Sequence, residues 1–274
     1  LHDALPILMI DNDYMLVADD ENQALRLYNR NNSGLSVNAF DFTTSLGLTD
    51  ISGGIPREVD IESSVKSGNR IYWLGSHDNS SSGSSRPNRS RIFATDITGT
   101  GASATLTYVG RFDDLKSQLL TWDQTNAHGL GADYFGLVAS AATGVLPEAA
   151  DGSGFNIEGL EFAPDNTTAY ICFRAPKIPV TSRTKALVVP VTNFTSLFTG
   201  NPTSAVSATF GTPIQLDLGG RGIREMKRNS SGEYLIIAGP VDAATDIAPS
   251  NFVLYSWTGN PADAPYPLTT TLSS

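Results

Sequence analysis

The sequence predicts an all-β fold of the β-propeller class, with about five short-stranded blades in a single domain that spans residues 1–274. Its repeated element is an isoleucine beside a charged residue on a first strand, followed by a polar turn and an apolar second strand. Successive second strands begin near residues 14, 70, 169 and 234. The gaps are one or two multiples of roughly 50 residues, and irregular repeats of that length are typical of propeller blades.

Composition narrows the class of protein further. The formal net charge is −10, with 18 Lys and Arg against 28 Asp and Glu, which argues against binding nucleic acid through its phosphates. No apolar run reaches the length of a membrane span. The charged fraction of 17% is low and small polar residues are abundant, so we expect a secreted or periplasmic protein, and a monomer. The single cysteine, Cys172, lies in an apolar strand and is predicted to be a buried structural thiol.

The first two blades are predicted at residues 1–43 and 57–112, on either side of a Gly/Ser loop at 44–56. Short apolar or alternating runs bounded by turn residues mark their strands. These strands are predicted at residues 7–10, 14–18, 24–28 and 35–42, and at 59–65, 70–74, 91–96 and 104–109. The second blade encloses a loop at 78–90 without any large apolar residue, which we expect to be mobile unless a ligand or salt bridges hold it.

Residues 113–153 interrupt this pattern and are predicted as an uncertain fifth blade. Leu115, Leu119 and Trp122 have the spacing of a short amphipathic helix, and residues 135–141 are predicted as either strand or helix. The last two blades are predicted at 155–218 and 220–271. Their strands are predicted at residues 157–162, 169–173, 186–191 and 214–218, and at 222–226, 233–238 and 252–257.

Seven segments of the chain, taken in order, resemble those of a known family. They are VADDEN at 17–22, EVDIE at 58–62, YWLGSH at 72–77, RPNR at 86–89, NIEGL at 156–160, FRAP at 173–176 and GIRE at 222–225. On these segments the chain is similar, over nearly its whole length, to the bacterial family catalogued as domain of unknown function 3616. The resemblance implies a β-propeller-like, usually exported protein of no established activity. The glutamate-containing strand motif is also similar to that of the esterase-like phytases, a more distant group.

Two departures from that family concern the ends of the chain. Family members usually continue past the strand at 254–257 into a segment with a Pro-Glu-Gly motif and an Asp-Asp-Gly end, whereas this chain ends at Ser274. It also begins at Leu1 rather than at a methionine. We therefore expect a propeller that is incomplete at both ends, which puts the pairing of its first and last strands in question.

Acidic residues recur at the starts of the predicted first strands. In a propeller the ends of the innermost strands meet at one mouth of the central channel, so equivalent residues of different blades would converge there. Carboxylates with backbone carbonyls could bind Ca²⁺, which takes six to eight hard oxygens. The predicted metal ligands are Glu58, Asp60, Glu62, Glu158 and Glu225. Alternatively, the carboxylates pair with Arg174, Arg221 and Arg224 in an ion-pair network, because a guanidinium fork matches a carboxylate.

His77 and the arginines of the loop at 86–91 are the remaining candidates. His77 lies beside Ser76 and Asp78, but adjacent strand residues point to opposite faces, so the three do not form a catalytic triad. His77 is predicted either to hydrogen-bond a loop or to act as a general acid or base. Arg86 and Arg89 could bind a phosphate or a carboxylate, or form salt bridges with the acidic surface.

Two functions remain open. The first is a binding or scaffold propeller whose polar channel takes a small anionic ligand or a protein partner. Its predicted ligand-binding residues are Arg86, Arg89, Arg174, Arg221 and Arg224. The second is a Ca²⁺-assisted extracellular hydrolase of phosphate or carboxylic esters, in which Glu158, Glu62 or His77 would move protons. Because no complete catalytic constellation is present, the sequence favours binding.

Overall fold

The computed structural model of the chain describes residues 6–198, 206–242 and 252–268. It contains four four-stranded antiparallel sheets, and within each sheet neighbouring strands are consecutive in the chain. Such meandering sheets are propeller blades, and the described residues form an all-β propeller fold with four blades. The chain divides into two compact units. The first unit takes its described residues from 1–76, 87–114 and 196–206, and the second from 77–86, 115–195 and 207–274.

The first unit holds blades one and two. Blade one consists of β1 (Ile7–Met9), β2 (Tyr14–Val17), β3 (Ala24–Asn29) and β4 (Asn38–Asp41). A short hairpin, β5 (Ile51–Ser52) and β6 (Ile55–Pro56), lies in the loop that follows. Blade two consists of β7 (Ile61–Ser67), β8 (Arg70–Gly75), β9 (Ile92–Thr98) and β10 (Thr105–Phe112). All eight predicted strands of these blades are confirmed, with ends that differ by up to three residues.

Apolar side chains from both blades form the core of the first unit. Leu25 and Leu27 alternate with half-buried neighbours along β3, so one face of the strand is buried. They belong to the same buried cluster as Trp73 and Phe93 of blade two. The indole N–H of Trp73 donates to Thr95 Oγ1 at 3.0 Å, which satisfies the one polar atom of this buried ring.

The second unit holds two helices and blades three and four. Its helices are α1 (Leu115–Gln124) and α2 (Leu137–Ser140). Blade three consists of β11 (Asn156–Phe162), β12 (Ala169–Ala175), β13 (Ala186–Val191) and β14 (Ile214–Leu216). Blade four consists of β15 (Gly222–Arg228), β16 (Tyr234–Gly239), β17 (Val253–Trp257) and β18 (Tyr266–Pro267). Every residue of β11, β12 and β13 is buried, and continuous apolar runs are expected of strands covered on both faces.

Aromatic rings and the single cysteine lie in the core between blades three and four. The rings of Tyr170, Tyr234 and Trp257 have centroids 5.3–5.8 Å apart. Cys172 is a free, fully buried thiol whose Sγ lies 3.8 Å from Met226 Sδ. Burial in this apolar surrounding raises its pKa well above the usual value. The prediction of a buried structural thiol is confirmed.

Residues 113–153 do not form the predicted fifth blade, and this prediction is wrong. The predicted amphipathic helix is confirmed as α1, with Leu115, Leu119 and Trp122 buried on one side. The ambiguous segment at 135–141 contains α2, which begins after Gly136 in the left-handed region at φ 69°. Both segments carry apolar residues, but their spacing suits a helix, so they contribute no strand to a fifth blade. Among the described residues, no helix is long and apolar enough to cross a membrane.

Candidate functional site

A β-bulge recurs at the same place in three blades. The first strands of blades two, three and four each lose register directly after an isoleucine. The register of the strand pairing passes over Glu62, Glu158 and Arg224. The repeated isoleucine–charge element of the sequence is therefore a bulge. Because a bulge bends the strand and re-aims a side chain, it directs a charged group away from the regular alternation of the sheet.

In the second unit, two bulge residues meet. Glu158 Oε2 accepts a hydrogen bond from Arg224 Nε at 2.7 Å, and Glu158 Oε1 accepts one from Arg174 Nη1 at 2.9 Å. Gly222 makes this meeting possible, because a Cβ at this position would collide with the backbone of Arg174. Side-chain exposure is 3% for Glu158, 1% for Arg174 and 10% for Arg224. The carboxylate is thus buried between two guanidinium groups.

The network continues outward from both arginines. Arg174 Nη1 also donates to Glu148 Oε1 at 2.8 Å, and Arg174 Nη2 donates to the carbonyl of Asp242 at 2.9 Å. The guanidinium of Arg224 lies 5.6 Å from the ring centroid of Phe252, a cation–π distance. The side chain of Glu148 is 30% exposed. We call Glu148, Arg174, Glu158 and Arg224 the bulge network.

Positive and negative charges alternate along the bulge network. The neighbouring charges and the burial together determine the pKa values of its arginines. Burial lowers the pKa of the Arg174 guanidinium, but the carboxylates of Glu158 and Glu148 outweigh it and the pKa is raised. Burial lowers the pKa of Arg224 to about 10, so this group also stays charged at neutral pH. Two cations and two carboxylates balance one another, and a buried charge is tolerated when it is paired in this way.

In the first unit, Arg89 joins two of the predicted metal ligands. Its Nη2 lies 2.7 Å from Glu58 Oε1, and its Nη1 lies 2.9 Å from Asp60 Oδ2. Nearby, the side chain of Asn88 is buried and hydrogen-bonds the backbone of residues 49, 50 and 57. The part of the predicted mobile loop around the 3₁₀ helix Pro87–Ser90 is therefore held by ion pairs and by a buried amide.

The remaining predicted site residues have separate surroundings. In the first unit, Glu62 is half-buried at its bulge. In the second, His77 is fully buried with φ 60°, a left-handed conformation that is uncommon outside glycine. The Arg86 guanidinium donates to the carbonyl of Ser85 at 3.3 Å, and that of Arg221 donates to two turn carbonyls at 3.4 Å. Glu225 accepts from the Met226 N–H at 2.9 Å and pairs with Lys227 at 3.3 Å.

Three of the five predicted calcium ligands, Glu58, Asp60 and Glu158, bind arginine side chains in this structure. Glu58 and Asp60 bind Arg89, and Glu158 binds two guanidinium groups, so a cation would have to displace an arginine in each case. Within residues 6–198, 206–242 and 252–268, no group of three or more His, Cys, Asp or Glu is placed to hold a metal. Calcium binding stays a prediction, which a thermal melt with and without Ca²⁺ tests.

Sequence reasoning missed Glu148 and a buried pair near α1. Glu148 lies in a loop outside the repeats, and only the fold brings it to Arg174. Asp123 Oδ1 accepts from His128 Nε2 at 3.1 Å, and both side chains are fully buried. The N–H of Leu130 donates to His128 Nδ1, so the ring proton lies on Nε2. The carboxylate also accepts the backbone N–H groups of residues 135 and 137. The five-residue spacing of Asp and His was the available signal for this pair.

A comparison with protein-family models finds no match for the chain, and neither does a comparison with curated proteins. Among solved structures, a GH43 β-1,3-galactosidase with galactodeoxynojirimycin shares 9% identity at a TM-score of 0.44, over 97% of this chain and 75% of that one. Kuenenia stuttgartiensis hydrazine synthase shares 10% at a TM-score of 0.41, over 98% and 51%. The C-terminal WD40 domain of Sif2 shares 12% at 0.35, over 87% and 44%. The chain thus spans about half the length of the last two, and the likeness concerns the fold alone.

Proposed function

We propose that this propeller is a binding domain that recognises the carboxylate or phosphate group of an anionic ligand at Arg174. The supporting observation is that one guanidinium nitrogen, Arg174 Nη1, binds two carboxylates at once. One of them, Glu158, is buried at a bulge. The other, Glu148, reaches Arg174 from an exposed loop. The outer side of this guanidinium therefore accepts an anionic group that arrives from the solvent side.

The electrostatics of the site favour an anion. Arg174 and Arg224 carry two positive charges, and the buried Glu158 balances one of them. The second is balanced by a partly exposed group, Glu148. The fork of the guanidinium suits carboxylate and phosphate geometry, so either group can take this outer place.

Binding is better supported than ester hydrolysis. A general acid or base must reach the proton that it moves, whereas both oxygens of Glu158 are bound by guanidinium donors. His77 is fully buried. These contacts support a site that holds an anion without turning it over.

Isothermal titration calorimetry with citrate and with inorganic phosphate tests the proposal. We expect saturable binding of at least one anion by the wild-type protein. The Arg174→Lys variant keeps the charge but loses the fork, so we expect binding about tenfold weaker, since a charged hydrogen bond contributes at least ~1.4 kcal/mol. Circular dichroism of the variant is the check that it still folds.

The matched control is Arg26→Lys in the first unit. Arg26 also pairs with a carboxylate, Asp19, at 2.8 Å, but it is outside the proposed site. We expect this variant to bind like the wild type. The proposal is refuted if neither anion binds, or if Arg174→Lys and Arg26→Lys bind the same anion equally well.

A further inference from the structure

We infer that Glu148 is a built-in competitor for the ligand, and that the ligand is a carboxylate which replaces the Glu148 side chain on Arg174. This inference rests on the proposed function, because it explains how the same site is filled and regulated. Glu148 already presents the chemical group that the ligand would present, at 2.8 Å from the guanidinium nitrogen. The Glu148 carboxylate thus occupies the place on Arg174 that the carboxylate of a ligand would take.

The two carboxylates on Arg174, those of Glu148 and Glu158, differ in how far their side chains are exposed. Glu158 is 3% exposed and receives a second guanidinium, whereas Glu148 is 30% exposed. Removing Glu158 from Arg174 would break a buried ion pair, which is costly. Removing Glu148 returns a carboxylate to water, where a partly exposed ion pair is weak. Of the two carboxylates on Arg174, Glu148 is therefore the one that a ligand can replace.

The loop that carries Glu148 is anchored on both sides of this residue. The N–H of Gly144 donates to the carbonyl of Gly83 at 2.8 Å, and the N–H of Lys177 donates to the carbonyl of Gly152 at 2.9 Å. Between these anchors, Pro147 packs against Gly154 so closely that a Cβ on Gly154 would collide with its carbonyl. Glu148 can therefore leave Arg174 by a local movement between anchors that stay in place.

Exchange conserves the charge of the site. With Glu148 released, Arg174, Arg224 and Glu158 carry one net positive charge. A ligand carboxylate in the place of Glu148 restores neutrality, while the freed Glu148 is solvated. The ligand binds only the open form, in which Glu148 has left Arg174. The apparent dissociation constant is therefore the intrinsic one divided by the fraction of the protein in the open form. Neutralising Glu148 should therefore tighten binding of a carboxylate.

Calorimetric titration of Glu148→Gln with citrate tests the inference. We expect binding about fivefold tighter than the wild type, the upper range for release of a partly exposed ion pair. The matched control is Asp151→Asn, which removes one negative charge from the same loop without removing a contact to Arg174, and which should bind like the wild type. Gly154→Ala displaces Pro147 and should tighten binding as well, by the same release of Glu148.

Hydrogen exchange provides a second measurement on the wild-type protein. Saturating citrate should increase amide exchange at residues 146–151, because the released loop loses its contact with Arg174. If citrate binds wild type and Glu148→Gln with equal affinity, the competitor role is overturned while the proposed anion site stands. If citrate and phosphate bind neither protein, the proposed function itself is overturned. Equal tightening by Glu148→Gln and Asp151→Asn would show a general charge effect and would also overturn the competitor role.

Discussion

Replacement of Glu158 by glutamine is the most direct test of the bulge network. Glutamine has the same shape, so the change removes charge and one acceptor without creating a cavity. The carboxylate accepts from Arg174 and Arg224 through separate oxygens, whereas an amide has a single acceptor oxygen. One of the two guanidinium groups would therefore face the NH₂ donors of the new side chain. We expect Glu158→Gln to be strongly destabilising.

The size of the effect follows from burial and from the contacts that remain. Breaking a buried ion pair by removing one partner costs about 3–5 kcal/mol. In this network Arg174 keeps Glu148 and the carbonyl of Asp242, and Arg224 keeps the carbonyl of Pro240 and the ring of Phe252. We therefore expect a loss at the lower end, ~3 kcal/mol, or a fall in melting temperature of about 5 °C for a chain of this length.

Urea unfolding followed by tryptophan fluorescence measures this loss, because Trp257 lies in the core of the second unit. The control is Glu233→Gln, an exposed glutamate that accepts from the Asn229 amide at 3.2 Å, for which we expect a change within about 0.5 kcal/mol. A loss below ~1 kcal/mol for Glu158→Gln would refute the reasoning, since it would mean that the guanidinium groups do not depend on this carboxylate.

Three further predictions concern other buried or hydrogen-bonded groups. Asp123→Asn should lower the free energy of unfolding by about 2–4 kcal/mol, because the carboxylate is the acceptor for His128 and for two backbone N–H groups; a loss under ~1 kcal/mol would contradict this. Cys172 should resist thiol reagents in the native protein, since burial raises its pKa, and stoichiometric native labelling would contradict its burial. Backbone N–H groups of Asp13 and Gly101 lower the pKa of Asp11, so its stabilising contribution is present above pH ~4 and is lost as the pH falls below it. In the Asp11→Asn variant, the free energy of unfolding should therefore fall less steeply as the pH is lowered below ~4. The same fall as in the wild type would contradict a lowered pKa for Asp11.

Local patterns account for the parts of the fold that the sequence predicts. Strand position follows from apolar runs between turns, which is why the strands are predicted with small errors at their ends. The isoleucine–charge element was also visible, because the bulge is a local feature of one strand. The two-residue strand Tyr266–Pro267 was missed since it is too short to have a period. The fifth blade was wrong because 113–153 has apolar content without strand spacing.

The candidate site was predicted less completely, because its contacts are distant in the sequence. The sequence indicated that Glu158 and Arg224 lie at equivalent positions of two blades, but gave no distance between them. Glu148 and Arg174 are 26 positions apart in irregular surroundings, and their contact depends on the path of a whole loop. Ion pairing and calcium binding also use the same residue types, so composition alone left both open.

At the recurring bulge, the charge of the side chain varies from blade to blade while the strand pairing does not. At the same place in three strands the chain carries Glu62, Glu158 and Arg224, two acids and one base, and the flanking ladder is maintained in each. Side chains of either sign are thus interchangeable there as far as the sheet is concerned. The charge carried at each of these three positions can therefore change while the strand pairing around it stays the same.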